Sequence, residues 1–211
     1  MRTHFNECVE RVLKSEGVYS NDDNDTGGET VFGVSRNNFP KWKGWVTVDS
    51  YKSIFSPTTA EFKTALATDV NLQVAVTEWY KSNFWDVFNL DEILDANVCY
   101  EIFDQAVNQG VGRATSNIQK VCNALNYQKQ YGPDLVLDSK IGPATRERFQ
   151  RVANRIDNSE IFRRMVDSLQ GAFYIDLGLR TGTRSDYRKY MRGWFINRVN
   201  VKIHEYDRDE A

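Results

Sequence analysis

Histidine is almost missing from this 211-residue chain: there are two, His4 and His204, each within a few residues of a terminus. Chemistry that rests on a firmly held imidazole is therefore not expected, whether a Ser-His-Asp triad, a Cys-His pair or a His-ligated zinc site. Acid–base work falls instead to carboxylates. Long apolar runs are also missing. None approaches the ~20 residues of a membrane-spanning helix, so no membrane insertion is expected. Cysteine is scarce: Cys8, Cys99 and Cys122 are odd in number and include no CxxC pair. Cys8 and Cys122 fall on apolar helical stripes, which predicts buried free thiols in a protein made in a reducing cytoplasm. The N-terminal stretch MRTHFNECVERVLKSEG has no continuous apolar segment of the kind a secretory signal needs.

What is present is the composition of an ordinary soluble globular protein, 41% hydrophobic and 27% charged, long enough for one domain or two small ones. The net charge of −2 hides an asymmetry. Residues 1–139 carry 12 basic and 19 acidic side chains, whereas residues 140–211 carry 15 basic and 10 acidic. The second half thus suits an anionic partner. It shows no basic cluster interleaved with aromatics, so nucleic acid is not expected.

Helical periodicity dominates. Phe5, Cys8, Val9, Val12 and Leu13 line one face of a first helix, with Thr3 as N-cap and Gly17 at the position of a glycine C-cap. Residues 19–35 break that period, and their polar, Gly-rich run followed by Thr-Val-Phe-Gly-Val predicts a loop with a short β-hairpin. Thr58-Thr-Ala-Glu61 reads as a capping box before Phe62, Leu66 and Val70. Leu72, Ala75, Val76, Trp79, Tyr80 and Phe84 form another face over 71–85. Further helices are expected near 95–109, 113–126, 143–157, 159–178 and 185–203, with Gly110 and Gly112 as punctuation and 126–143 as a connector. The expectation is a mostly-α fold of seven or eight helices and one small ribbon.

One constellation carries chemistry. Glu16 ends the first helix, where unpaired carbonyls disfavour a carboxylate and favour the protonated acid. Val18 and Tyr19 would add desolvation in the same direction. A raised pKa suits a general acid that protonates a glycosidic oxygen. Asp25 follows after eight residues and Thr30 after four more, so two carboxyls and a hydroxyl could converge on one cleft. The loop is Asp-rich, but counting from Asn21 as an EF-hand puts Thr26 where Gly belongs and Phe32 where Glu belongs, so no metal is expected.

At these residues a resemblance becomes specific. Glu16 to Asp22, Asp25 to Thr30 and Phe32-Gly33-Val34-Ser35 closely resemble the opening motif of glycoside hydrolase family 108. These are N-acetylmuramidases of phage endolysins and of bacterial proteins once described as secretion activators. The resemblance continues through Trp79 to Trp85 and Phe103 to Gly110. Asp138 to Thr145 and Gly193 to Val199 resemble the peptidoglycan-binding region that follows in the family. The chain departs from the family pattern at Val18, where a second glycine is usual, at Thr26, often proline, and at Ser139, usually glycine.

The resemblance implies a lysozyme-like helical fold that cleaves the β-1,4 bond between N-acetylmuramic acid and N-acetylglucosamine, without a cofactor. It implies Glu16 as general acid, Asp25 as base or water-positioner, and Thr30 as a water-positioning or ribbon-holding residue. Asp22, Asp23 and Glu29 are alternatives for the second carboxylate. Tyr19, Asn108 and Gln109 are the substrate-binding candidates; Trp79, Trp85, Phe103 and Ala106 are read as core. The expected organisation is a catalytic region over 1–93 and a helical peptidoglycan-binding region over 94–211. The protein is expected to act as a monomer on bacterial peptidoglycan, reaching it with a holin-like export partner. Two other readings stay open: a lytic transglycosylase on the same bond, and a non-catalytic wall-binding or secretion accessory protein.

Overall fold

A computed structural model describes residues 4–21, 28–155, 157–180 and 187–201. Its backbone divides into two compact units, 9–83 and 1–8 with 84–211, the boundary falling inside the first helix. Helix α1 (His4–Ser15) buries Phe5, Cys8, Val9 and Val12, the face its periodicity predicts. Thr3 lies outside the described residues. Gly17 follows the helix but does not take the left-handed conformation of a glycine cap. Instead the chain leaves α1 by a tighter turn, with Glu16 N–H donating to Leu13 O at 3.2 Å.

In unit 9–83, strands β1 (Tyr19–Ser20), β2 (Thr30–Val31) and β3 (Val34–Ser35) form a three-stranded antiparallel ribbon. Tyr19 pairs with Val31 and Thr30 with Ser35. The two-residue turn between β2 and β3 has positive φ at both centres, 46° at Phe32 and 78° at Gly33, as the primed hairpin turns require. Three helices complete the unit: α2 (Gly44–Lys52), α3 (Ala60–Thr68) and α4 (Val70–Tyr80). Val31, Val34, Trp45, Val48, Phe62, Leu66, Leu72 and Val76 make its core.

Two local expectations change here. The cap of α3 is Thr59, whose hydroxyl accepts from Phe62 N, rather than Thr58. Val70 does not extend the α3 face. Asp69 ends α3 and caps α4 through Leu72 N at 2.7 Å, which turns the chain and leaves Val70 74% exposed. Helix α2 was not expected at all. Val46, Thr47 and Val48 are β-branched and weak helix formers, and only Gly44, Trp45 and Val48 of its residues are buried. A π-helical turn over Lys81–Trp85 continues α4.

In the other unit, α5 (Ala96–Gln109) is buried without a break from Ala96 to Ala106. It packs against α6 (Val111–Ala124) and α8 (Ser159–Leu179), and α6 packs against α7 (Pro143–Ala153). Gly110 alone punctuates α5 and α6, at φ 85°; Gly112 lies inside α6. The helix expected over 185–203 is shorter: a 3₁₀ turn at Tyr187–Tyr190 and α9 (Met191–Asn197). Ser139 stands at φ 61°, a left-handed conformation that glycine adopts without strain, so the turn survives the departure from the family residue. Gln119 holds it, donating to Asp138 Oδ1 and accepting from Ser139 N. All three cysteines are buried and unbridged. No described helix is long and apolar enough to cross a membrane.

Because α5 is surrounded, its polar side chains must find partners inside. Gln105 Nε2 donates to Glu101 Oε1 and Val166 O, and its Oε1 accepts from Asn117. Asp104 is buried, paired with Arg198 at 2.7 Å and bonded by Asn108 and Gln170. Burial, then the Asp167 charge, pushes the Glu101 pKa well above the carboxylate range. Below the ordinary carboxylate pKa, folded and unfolded states are both protonated there. As pH rises past it the unfolded state ionises while the folded state holds its proton, so stability falls. Glu101→Gln, which mimics the neutral acid, is expected to raise the melting temperature at pH 7–8 and leave it unchanged near pH 4, as read by calorimetry.

Candidate active site

Glu16 sits immediately after α1, at its carbonyl end, and is half-buried. Its carboxyl faces the hairpin turn. A Cβ placed on Gly33 would lie 3.3 Å from Glu16 Oε2 and 2.5 Å from Tyr80 Oη. Three elements therefore meet at one point: the end of α1, the β2–β3 turn and the end of α4. Tyr80 is 1% exposed, and its hydroxyl donates to Phe32 O at 3.0 Å, tying the turn to α4. The absent side chain at Gly33 is what lets the carboxyl and the phenol approach the same backbone.

The ribbon is anchored through Glu29, which is 9% exposed. Tyr19 Oη and Lys52 Nζ each donate to Glu29 Oε1 at 2.9 Å, and Arg36 Nε makes a close charge contact with Oε2 at 2.5 Å. Arg36 also grips Asp49 with two bonds, at 3.1 and 2.6 Å, and covers the Trp45 ring at 4.1 Å. Asp49, Lys52 and Trp45 all belong to α2, so the unexpected helix holds the ribbon in place. Burial acts to raise the Glu29 pKa, but the bonds from Lys52 and Tyr19 and the Arg36 charge outweigh it and hold it below the usual carboxylate value. Burial, then the bond to Glu29, pushes Tyr19 up to about 12.

Since Glu29 is depressed in the folded state, its stabilisation is fully present above the unfolded carboxylate pKa and fades as pH falls through the folded value. Glu29→Gln leaves Arg36 and Lys52 undercompensated, an expected loss of about 2 kcal/mol at neutral pH. Denaturation measured from pH 7 down to pH 3 should show the variant and wild type converging at the acid end.

The residues singled out from sequence are distributed as follows. Glu16, Tyr19 and Thr30 are all in unit 9–83. Thr30 lies in β2, half-buried, with its hydroxyl donating to Gly28 O at 3.2 Å. Tyr19 is in the core, edge-on to Phe62 at 4.9 Å, with its hydroxyl spent on Glu29, so as placed it serves the ribbon. Asp25, with Asp22 and Asp23, lies outside the described residues. Asn108 and Gln109 end α5 in the other unit. Asn108 is exposed and its amide nitrogen donates to Asp104 O and Oδ1. The Gln109 amide is buried beside the Tyr174 hydroxyl, without an aligned hydrogen bond among the described residues. Gly33, Tyr80, Arg36 and Lys52 were not anticipated. The Phe-Gly dipeptide after a strand was the one available signal, and it pointed to a turn, not to a contact with Glu16. Among the described residues no group of three His, Cys, Asp or Glu side chains could hold a metal ion.

A mostly helical scaffold thus presents a carboxyl against a small three-stranded ribbon, and comparison with known proteins supplies the class. The glycosyl hydrolase 108 family model matches residues 9–110, and the model described as a predicted peptidoglycan domain matches residues 113–199. The chain thus carries a glycosyl hydrolase 108 domain, with the predicted peptidoglycan domain C-terminal to it. A solved structure titled as Brucella abortus SagA shares the fold, with 19% identity, a TM-score of 0.52, and coverage of 91% of this chain and 87% of that one. No curated protein matches the sequence. The two domains together mark a peptidoglycan hydrolase.

Proposed function

We propose that the protein is an N-acetylmuramidase, hydrolysing the β-1,4 bond between N-acetylmuramic acid and N-acetylglucosamine with Glu16 as general acid. The observation that carries the reading is the approach of the Glu16 carboxyl to the glycine turn beside Tyr80, inside the hydrolase-family match. Glu16 follows the carbonyl end of α1, and the dipole of a helix C-terminus in general favours a protonated carboxyl, the form that can donate to a leaving oxygen. Glycan cleavage passes through an oxocarbenium-like state, and a second carboxylate would direct water to the anomeric carbon.

Asp25 is the candidate for that second role. Glu29, an alternative by sequence, is neutralised by Lys52 and Arg36 and bonded by Tyr19, which suits scaffolding better than base catalysis. Thr30 stands on the ribbon that meets Glu16 and suits water positioning. Asn108 retains a carbonyl oxygen with no partner among the described residues, able to accept from an N-acetyl N–H. The enzyme would be made in the cytoplasm and reach the wall through a separate membrane-permeabilising partner, acting as a monomer.

Borohydride reduction of a wall digest tests the bond assigned. Muramitol as the new reduced end is the expected outcome. Glucosaminitol would mean cleavage on the other side of the disaccharide; solubilised fragments without new reducing ends would mean a lytic transglycosylase, and no solubilised fragments would leave the accessory-protein reading.

A further inference from the structure

Unit 84–211 contains a cleft of about 300 Å³ that the hydrolytic chemistry does not use. Phe88 and Ile93, both buried, lie behind its lining. Its rim carries Arg146, Glu147 and Glu92. The walls are fixed without any ligand. Asn154 donates to Glu92 O at 2.7 Å and accepts from Leu94 N at 2.9 Å, stapling the end of α7 to the turn at 90–92. Gln150 Nε2 reaches Glu92 Oε2 at 3.4 Å. Arg146 Nε donates to Val87 O at 2.9 Å, which sets the guanidinium, and its two terminal nitrogens have no partner among the described residues. Asn89, also on the lining, takes the left-handed conformation at φ 53° that ends the 3₁₀ turn at Asp86–Phe88. The cleft lies where the two family matches meet: residues 88–93 belong to the hydrolase match, and 143–150 to the peptidoglycan-domain match.

Two carboxylates, one of them 3.8 Å from Arg151, lie with the Arg146 guanidinium on one cleft lining. A neutral sugar could hydrogen-bond these groups but would leave their charges uncompensated, and a simple anion would meet two glutamates. An ammonium adjacent to a carboxylate satisfies both signs, and an amino-acid head fits a volume at the lower end of ligand pockets. In peptidoglycan that group is the free amino-acid end of a diamino acid such as diaminopimelate in an uncrosslinked stem peptide. We propose that this cleft binds that zwitterionic end, Glu92 and Glu147 taking the ammonium and Arg146 the carboxylate. Crosslinking acylates the amine, so the site would distinguish open stems from crosslinked ones. The proposal rests on peptidoglycan being the substrate, and it does not depend on which glycosidic bond is cut.

The test is calorimetric titration of the full wild-type chain with the synthetic tripeptide L-Ala-γ-D-Glu-meso-diaminopimelate, which has no glycosidic bond to cleave. With the L-Ala amine blocked as an amide, saturable binding is expected, weakened by about tenfold or more when the distal diaminopimelate amine is acetylated or when Glu147 is changed to glutamine. Glu147 is exposed, and its one salt bridge among the described residues is to Arg151, so Glu147→Gln should fold normally, as its melting temperature would show. Absence of saturable binding, equal affinity for the acetylated peptide, or unchanged affinity in Glu147→Gln would each overturn the proposal. Tripeptide binding by a chain that cuts no glycan would count against the muramidase reading alone.

Discussion

Replacing Glu16 with glutamine is expected to lower turnover on peptidoglycan by about 10³-fold, the scale of a lost general acid, with little change in melting temperature or in wall binding. Glutamine keeps the shape and the hydrogen-bonding reach of the side chain but has no acidic proton to give. The residue follows α1 and is half-buried, so the fold should tolerate the exchange. Turnover would be read as release of reducing ends, and wall binding by sedimentation with purified sacculi. A variant that binds and does not cleave separates catalysis from adhesion. If the variant cleaves at the wild-type rate, Glu16 is not the acid.

The second large effect is expected at Gly33. In Gly33→Ala the new Cβ would sit 2.5 Å from Tyr80 Oη and 3.3 Å from Glu16 Oε2, at a φ of 78° that L-residues rarely adopt. The turn must shift, Tyr80 must release Phe32 O, or the Glu16 carboxyl must be displaced. A displacement of about 1 Å at a reacting group can cost ~10²-fold in rate, and the strained backbone about 1–3 kcal/mol in stability. The two losses are separable by adding Tyr80→Phe, which deletes the clashing oxygen. The double variant should recover part of the stability lost by Gly33→Ala, a non-additive coupling typical of residues in contact. It should recover less of the rate, because the alanine methyl still faces the carboxyl. Strict additivity of the two changes would mean that Gly33 and Tyr80 do not share the space described here.

Legibility from sequence followed the range of the interaction. The Glu16 motif and the hairpin are local in the chain, and their residue order alone points to a helix end followed by a ribbon. The contact that shapes the site joins Phe32 and Tyr80, 48 residues apart, and no periodicity encodes it. Helix α2 escaped because β-branched residues and a narrow buried face gave it no helical signature, yet Asp49 and Lys52 on it fix Arg36 and Glu29. Tyr19, three residues after Glu16, is a substrate-binding candidate by sequence; its burial depends on Phe62 and Glu29, which only the fold brings to it. Asp104 is buried against Arg198, 94 positions away, a pairing that no local pattern shows. The charge asymmetry was visible but coarse. It pointed to an anionic partner for the second half, whereas the cleft in unit 84–211 combines both signs.

Hydrolysis with Glu16 as the acid would leave an oxygen from water on a glycan strand ending in N-acetylmuramic acid. Digestion of purified peptidoglycan in ¹⁸O-labelled water, followed by mass spectrometry, reads this out. Muropeptides with a reducing N-acetylmuramic acid carrying one ¹⁸O at the new end are expected, absent from the Glu16→Gln digest. Unlabelled 1,6-anhydro ends would contradict hydrolysis, because they form by internal attack without water and would make the protein a lytic transglycosylase.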